Sequence, residues 1–186
     1  FLVGGITSSR GALYQIAERV TGGGVSGVLF APEVAVATGK SQGCAPAGPF
    51  RTVTDAVENV IVALDGHKPI EALKADLGLG SARGLGSLAG TVHIAFPVAG
   101  SDTGDYAVRT LVGADPARGW LAVGGPVVAG DRVMFVRRDP KSAEDDLDRM
   151  TAGVMRRLKG LPRGGLYISS VGRGSAIFGR ENREIG

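Results

Sequence analysis

The chain has 186 residues, 44% of them hydrophobic and 21% charged, which supplies enough apolar side chain for a folded core and argues against intrinsic disorder. Its net charge is only +3, and the nearest basic cluster carries no aromatic residues between its members, which argues against nucleic-acid binding. A single cysteine excludes an internal disulfide, two distant histidines exclude a dense zinc site, and no apolar run approaches the roughly 18 residues of a membrane span.

The first half of the chain predicts strands and two helices. Strands are predicted over residues 1–3, 25–30 and 34–37, and at one or both ends of 51–64. A first helix is predicted by apolar residues at helical spacing: Leu13, Ile16, Ala17 and Val20. Asp65-Gly66 predicts a turn, and Pro69 fits the first position of a second helix over 70–77, which Gly78 would end.

A glycine-rich stretch indicates a boundary near the middle of the chain. We expect a linker at 79–90, between a first module of residues 1–78 and a second of residues 91–186. The chain begins within a predicted strand and without methionine, so we also expect the protein to extend beyond its first residue, and the second module to be incomplete.

The second half is richer in strands and contains one well-marked helix. Strands are predicted over residues 91–96, 106–112, 120–123 and 132–136, and a last, buried strand over 166–171. The helix is predicted to begin at a capping box of Ser142 and Asp145. Its apolar stripe comprises Leu147, Met150, Val154, Met155 and Leu158.

Four carboxylates lie in the first turns of this helix: Glu144, Asp145, Asp146 and Asp148. They could form a metal or acid–base cluster, but acidic residues at a helix N-terminus more simply complement the helix dipole. We therefore interpret them as a solvated acidic face.

Two residues are candidates for a binding site, and for each a structural role fits equally well. Cys44 lies in a polar, turn-rich stretch after a strand, where loops often border a crevice, but a lone cysteine is also a common buried filler. Arg173 is flanked by glycines, and its guanidinium suits a carboxylate or phosphate, but it could equally pair with Glu181 or Glu184.

Several segments, in their order and spacing, resemble the FIST family (F-box and intracellular signal transduction proteins). Ser41-Gln42-Gly43-Cys44 resembles the Ser-Gln-Gly-Cys segment of that family, and residues 1–9 resemble its glycine-rich strand and turn. Residues 166–174 with Phe178-Gly179 resemble its C-terminal module. Two further stretches, 53–66 and 137–147, resemble the end of the N-terminal module and a part of the C-terminal one, respectively.

The resemblance implies an α/β (α+β mixed) fold of two modules with mixed β-sheets flanked by helices. It also implies a cytoplasmic sensory module that binds a small ligand, such as an amino acid or another anionic metabolite, and signals to a protein partner. No cofactor, metal, nucleic acid or membrane is expected. Two alternatives stay open: a protein-interaction scaffold without ligand and, less favoured, an enzyme with Cys44 as nucleophile.

We expect the ligand in a crevice shared by two loops. The residues expected to bind it are Gln42, Gly43, Cys44, Ser170, Gly172, Arg173 and Gly174. Gly43 and Gly174 would present backbone N–H groups, and Arg173 would pair with an anionic group. If one crevice is shared, Cys44 lies within about 12 Å of Arg173.

Overall fold

A computed structural model of the chain describes residues 3–79, 90–99, 104–170 and 173–179. The elements of this described part are β1 Tyr14–Ala17, β2 Arg19–Gly22, β3 Ala45–Pro46, β4 Arg51–Val57, β5 Val60–Leu64, α1 Pro69–Asp76, β6 Val92–Pro97, β7 Tyr106–Asp115, β8 Trp120–Val123, β9 Arg132–Arg137, α2 Pro140–Arg157 and α3 Ser175–Phe178. The expected combination of helix and sheet is confirmed, as an α+β fold. None of the described helices is both long and apolar enough to cross a membrane.

The chain divides into two compact units. One, the barrel unit, is Lys40–Arg149, and the other, the terminal unit, combines Phe1–Gly39 with Met150–Gly186. The expected linker falls almost wholly on residues 80–89, which lie outside the described residues.

The barrel unit is a ring of six strands in the order β4-β5-β8-β7-β6-β9, closed because β9 pairs with both β6 and β4. The two-residue strand β3 extends the ring by pairing with β9. Every described pairing is antiparallel, so the expected mixture of parallel and antiparallel strands does not occur in this part of the chain. Short turns make β4–β5 and β7–β8 antiparallel, because parallel neighbours need a long crossover. The β4–β9, β5–β8 and β6–β9 pairings join strands that are distant in sequence.

The core of the barrel unit lies inside the ring. Alternate residues of each strand face inward, and α1 packs against β5 and β8 and adds Ile70 and Leu73. The buried members are Val53, Ile61, Leu64, Ile70, Ala72, Leu73, Val92, Ile94, Phe96, Leu121, Val123, Val127, Val133 and Phe135. Burying this many branched side chains accounts for a large share of the hydrophobic free energy of folding.

A second, smaller cluster lies on the outer face of β6 and β9. It consists of Cys44, Ala95, Tyr106, Met134 and Val136. Because side chains alternate along a strand, Ala95 and Val136 point away from the interior that Ile94 and Phe135 fill. This outer cluster supports the loop that carries the candidate site.

Most predicted elements of the barrel unit are confirmed. The stretch 51–64 forms β4 and β5, and the four strands predicted in the second half appear as β6 to β9. The Asp65-Gly66 turn has positive φ angles of 50° and 78°, and α1 begins at Pro69 as predicted. The Asp-Gly turn signal and the proline signal for the start of α1 therefore predicted the structure correctly.

The first part of the terminal unit contradicts three predictions. The helix predicted from Leu13 to Val20 is wrong, because these residues form the antiparallel hairpin β1–β2, reversed at Glu18 with φ of 60°. The β-branched and aromatic residues of this stretch favour a strand over a helix despite their helical spacing. The strands predicted over 25–30 and 34–37 are also wrong, since both stretches are irregular.

The predicted buried strand over 166–171 is wrong for its described part. Residues 166–170 lie outside any described strand, and Leu166, Tyr167 and Ile168 are exposed. A short apolar run does not say whether a pairing partner exists. Residues 1, 2 and 171, at the ends of two predicted strands, lie outside the described residues.

The long helix α2 is confirmed, but its predicted start is wrong. It begins at Pro140, and the Asp139 carboxylate accepts the N–H of Ser142 at 2.8 Å. The helix therefore starts three residues before the predicted capping box. An Asp cap followed by proline at the first helical position satisfies the free N–H groups of this earlier start. Ser142 is buried instead of capping.

Candidate functional site

The residues 41–44, here called the 41–44 loop, wrap around the carboxylate of Asp146. Its Oδ2 atom accepts hydrogen bonds from the Ser41 hydroxyl at 2.8 Å and from the N–H groups of Gln42 and Gly43 at 2.8 and 2.9 Å. Gly43 has φ of 67°, a conformation that lets successive N–H groups point into one anion-binding concavity. The loop is therefore an anion-binding nest, and its anion is the carboxylate of Asp146.

Asp146 corrects the interpretation of the acidic helix start as a solvated face. The residue is only 3% exposed, whereas Asp145 and Asp148 are exposed as predicted. Its second oxygen, Oδ1, pairs with Arg149 one turn along α2. Three donors and a guanidinium compensate the burial of this charge, which helix periodicity alone could not reveal.

Arg138 and Tyr106 hold the opposite side of the 41–44 loop. The Nε of Arg138 donates to the Cys44 sulfur at 3.3 Å, and its Nη2 donates to the Gln42 carbonyl at 3.4 Å. The Tyr106 hydroxyl donates to the Cys44 carbonyl at 3.1 Å. Burial, followed by the negative charge of Asp146, raises the pKa of Tyr106 to about 12, so this hydroxyl stays a donor at neutral pH.

Cys44 itself is 1% exposed and belongs to the outer cluster. Its side chain packs beneath the 41–44 loop, and its role in ligand binding stays a prediction. Gln42, by contrast, is half-buried and turns its side chain toward β7, where its Nε2 donates to the Tyr106 carbonyl at 3.1 Å.

A polar pocket lies beside the 41–44 loop. Its lining residues are Lys40, Gln42, Gly104, Asp105, Tyr106 and Arg149. Two cations and one carboxylate surround a neutral amide, and the cavity volume of about 10 Å³ has room for about one water molecule. A charged ligand would therefore pair with these side chains at the mouth of the pocket. The hydrogen bond with Asp146 raises the pKa of Arg149, which keeps this guanidinium charged.

The other predicted site residues belong to the terminal unit. The N–H of Arg173 donates to the Ser170 carbonyl at 2.9 Å, and the Arg173 guanidinium lies over the Phe178 ring, 5.2 Å from its centroid. Gly174 has φ of 126° and precedes α3. Gly172, Glu181 and Glu184 lie outside the described residues. The closeness of Cys44 and Arg173, which belong to different units, stays a prediction.

Sequence reasoning singled out Gln42, Gly43 and Cys44 as ligand-binding residues, which stays a prediction, and it missed the residues that hydrogen-bond to them. Asp146 and Arg138 are distant in sequence from the 41–44 loop, and only the closed barrel brings them to it. The one available signal was the spacing of Asp146 and Arg149, which are neighbours on a helix surface. Within the described part of the chain, no group of three or more His, Cys, Asp or Glu residues could hold a metal ion.

Comparison with known proteins agrees with the sequence resemblance. The family profile of the FIST N domain matches residues 1–67, and that of the FIST C domain matches residues 69–185. An uncharacterized protein of Mycobacterium tuberculosis (strain H37Rv) is 35% identical over 191 residues, covering 96% of this chain and 48% of that protein. One of Mycobacterium bovis is 35% identical over 147 residues, covering 75% of this chain and 37% of that protein.

The chain thus spans half or less of the length of these curated relatives. No solved structure matches it. FIST domains are associated with sensory roles in signal transduction, and the names of these relatives assign no ligand.

Proposed function

The chain belongs to the FIST family, and from that premise we propose that it is a cytoplasmic sensory module that binds a small ligand, an amino acid or another anionic metabolite. The ligand would bind at the mouth of the pocket beside the 41–44 loop, and its binding would be passed to a signalling protein. The single observation that carries this proposal is the mixed-charge pocket at the rim of a loop held in one conformation.

The chemistry of the lining favours a ligand with a carboxylate. Lys40 is exposed and Arg149 is 59% exposed at its side chain, so both can reach an incoming anion. Asp105 lies in the same lining and suits an ammonium group. Gln42 can orient the ligand through its amide, since carboxamides both donate and accept hydrogen bonds.

The backbone N–H of Gly43, which we expected to bind the ligand, donates to Asp146 instead. The N–H groups of Gln42 and Gly43 are engaged by Asp146, so we propose that they shape the pocket and that the Gln42 side chain makes the contact. Cys44 supports the loop from below. Ser170, Gly172, Arg173 and Gly174 remain proposed contacts, with Arg173 as the partner of an anionic group.

Replacing Lys40 tests this proposal. We expect a calorimetric screen of L-amino acids and small dicarboxylic acids to yield a ligand with saturable binding. Lys40→Met should then weaken its affinity by about tenfold or more, because a charge-assisted hydrogen bond contributes about 1.5–3 kcal/mol. The matched control is Lys141→Met, which removes an exposed lysine paired with Asp145 outside the pocket lining, and it should leave affinity unchanged.

Two results would count against ligand binding in this pocket. One is a panel in which no compound saturates, and the other is an equal loss of affinity in both lysine variants. Thermal melting of each variant separates a lost contact from lost folding.

A protein-interaction scaffold is the second candidate, and the terminal unit supplies its support. Ile6, Val25 and Leu29 are each at least 98% exposed, and large exposed apolar side chains often mark interaction sites. A Cys44-dependent enzyme has less support, because the thiol is almost fully buried.

A further inference from the structure

His93 is a buried imidazole whose nitrogens are not satisfied. It lies on β6 and is only 5% exposed, yet neither Nδ1 nor Nε2 has a hydrogen-bond partner of good geometry, and the backbone of Gly90 offers only a weak one. Buried polar groups are normally hydrogen-bonded, and an orphaned one carries a cost. The neighbours of His93 suggest a role for this imidazole that outweighs its cost.

The register of the barrel places His93 beside Arg138. His93 pairs with Val136 of β9 and with Thr110 of β7, and residue 138 follows two positions after Val136 on the same face. The charged and titratable groups on this outer face are Arg138 after β9, Cys44 beside it, and Tyr106 of β7. Asp146 lies beyond the 41–44 loop and is engaged by that loop and by Arg149.

The electrostatic consequence follows from this placement. Burial first, and then the positive charge of Arg138, lowers the pKa of His93 below its ordinary value of 6.5. Near neutral pH the imidazole is uncharged and tolerates the guanidinium. Once protonated, it would be a second buried cation next to Arg138.

Arg138 is also one of the side chains that hold the 41–44 loop, through the Cys44 sulfur and the Gln42 carbonyl. We propose that His93 and Arg138 form an acid-sensitive lock, in which protonation of His93 repels Arg138 and releases the 41–44 loop. The regulatory meaning of this lock rests on the proposed function of the pocket, because the loop carries Gln42. The acid response of the loop itself does not depend on that proposed function.

The direction of the pH effect is fixed by proton linkage. The opened state has an ordinary imidazole that binds a proton below about pH 6.5, whereas the closed state resists protonation. The closed state is therefore fully favoured above about pH 6.5 and loses stability as the pH falls from there toward the lowered pKa of His93. Acid opens the lock and neutral pH closes it.

Labelling of the single cysteine measures this opening in the whole chain. Cys44 is buried, so 4,4′-dithiodipyridine, a disulfide that reacts with thiols at acid and neutral pH, reaches it only when the loop opens. Rates are divided by those of glutathione at the same pH. Between about pH 7.5 and about pH 5 we expect the normalised rate to rise on the order of tenfold, because the open state takes up a proton that the closed state resists.

His93→Leu should abolish this rise, because leucine fills a similar space and takes up no proton. His67→Leu is the matched control, since His67 is the other histidine of the chain and is exposed, and it should keep the full rise. A flat rate in the wild type, or a rise retained in His93→Leu, would overturn the proposal.

If His93→Leu does not fold, titration of the wild-type protein by NMR decides the matter. The amide signals of Gln42 and Gly43 should move with the same midpoint as the His93 ring protons, and separate midpoints would contradict the lock. Neither measurement uses a ligand, so failure of the lock and failure of ligand binding are distinguishable.

Discussion

Replacing Asp146 by alanine is expected to lower the free energy of unfolding of the barrel unit by about 2–4 kcal/mol, because one buried and two half-buried hydrogen-bond donors lose a charged acceptor. The Gly43 N–H is buried and would lose its acceptor, and the Gln42 N–H and Ser41 hydroxyl would lose the same one. An unsatisfied buried donor alone costs about 1–3 kcal/mol.

Urea unfolding followed by fluorescence provides the measurement. Trp120, the only tryptophan, lies on β8 and therefore reports on the barrel unit. The control is Asp148→Ala, an exposed carboxylate two residues further along α2, which should change stability by no more than about 0.5 kcal/mol. Equal and small losses in both variants would mean that the nest around Asp146 does not stabilise the loop.

Arg51→Met is the other change with a large expected effect, a loss of about 3 kcal/mol or more. Arg51 makes two hydrogen bonds to Asp76, from Nε at 2.9 Å and from Nη2, and its Nη1 pairs with Asp65 at 3.1 Å. The Asp76 side chain is only 5% exposed, so the substitution would leave a nearly buried carboxylate without its main partner.

The geometry explains why this pair matters to the fold. Arg51 begins β4 and Asp76 ends α1, so the pair fastens the helix to the ring of strands. The hydrogen bond with Asp76, as the largest contribution, raises the pKa of the Arg51 guanidinium above its ordinary value. The burial of Asp76 and the partial burial of Arg51 limit the screening that weakens surface ion pairs.

Arg118→Met is the matched control for the same chemical change. Arg118 pairs with Asp115 at 3.0 Å, but its side chain is 65% exposed, so its removal should cost no more than about 1 kcal/mol. Urea unfolding of both variants by Trp120 fluorescence gives the comparison. A loss for Arg51→Met that does not exceed the loss for Arg118→Met would show that the helix is held by apolar packing alone.

The barrel unit was largely predictable from its sequence. Alternating β-branched residues, a proline at the start of α1 and an Asp-Gly turn are local signals, and each acts where the structure also buries the apolar side. Closure into a ring was not predictable, because it depends on β9 pairing with strands that are far away in sequence.

The terminal unit shows where local signals fail. Leu13 to Val20 satisfies helical spacing and strand propensity at once, and the turn at Glu18 decides for the hairpin. For residues 166–170, apolar character predicted burial, although Leu166 is 74% exposed. Residue type indicates whether burial of a side chain is favourable, but neighbouring elements determine whether the side chain is buried.

In the candidate site too, local features were predictable from the sequence and long-range contacts were not. The 41–44 loop is recognisable from its residue types alone, because it places the only cysteine of the chain beside a glycine in a polar, turn-rich stretch. The role of Asp146 was hidden, because a carboxylate in the first turns of a helix is usually solvated and its burial depends on donors about 100 positions earlier in the chain. Long-range polar contacts leave no periodic trace in a sequence.

Ligand binding in the pocket is tested most directly by an NMR titration of the isotope-labelled chain with the same panel of L-amino acids and small dicarboxylic acids. We expect a saturable shift of the backbone amides of Gln42, Tyr106 and Arg149, which line the pocket, while those of α1 stay unchanged. Lys40→Met should move the midpoint of this titration to higher ligand concentration. A panel that leaves the pocket amides in place, or that shifts only amides elsewhere in the chain, would contradict the assignment of this pocket as the sensing site.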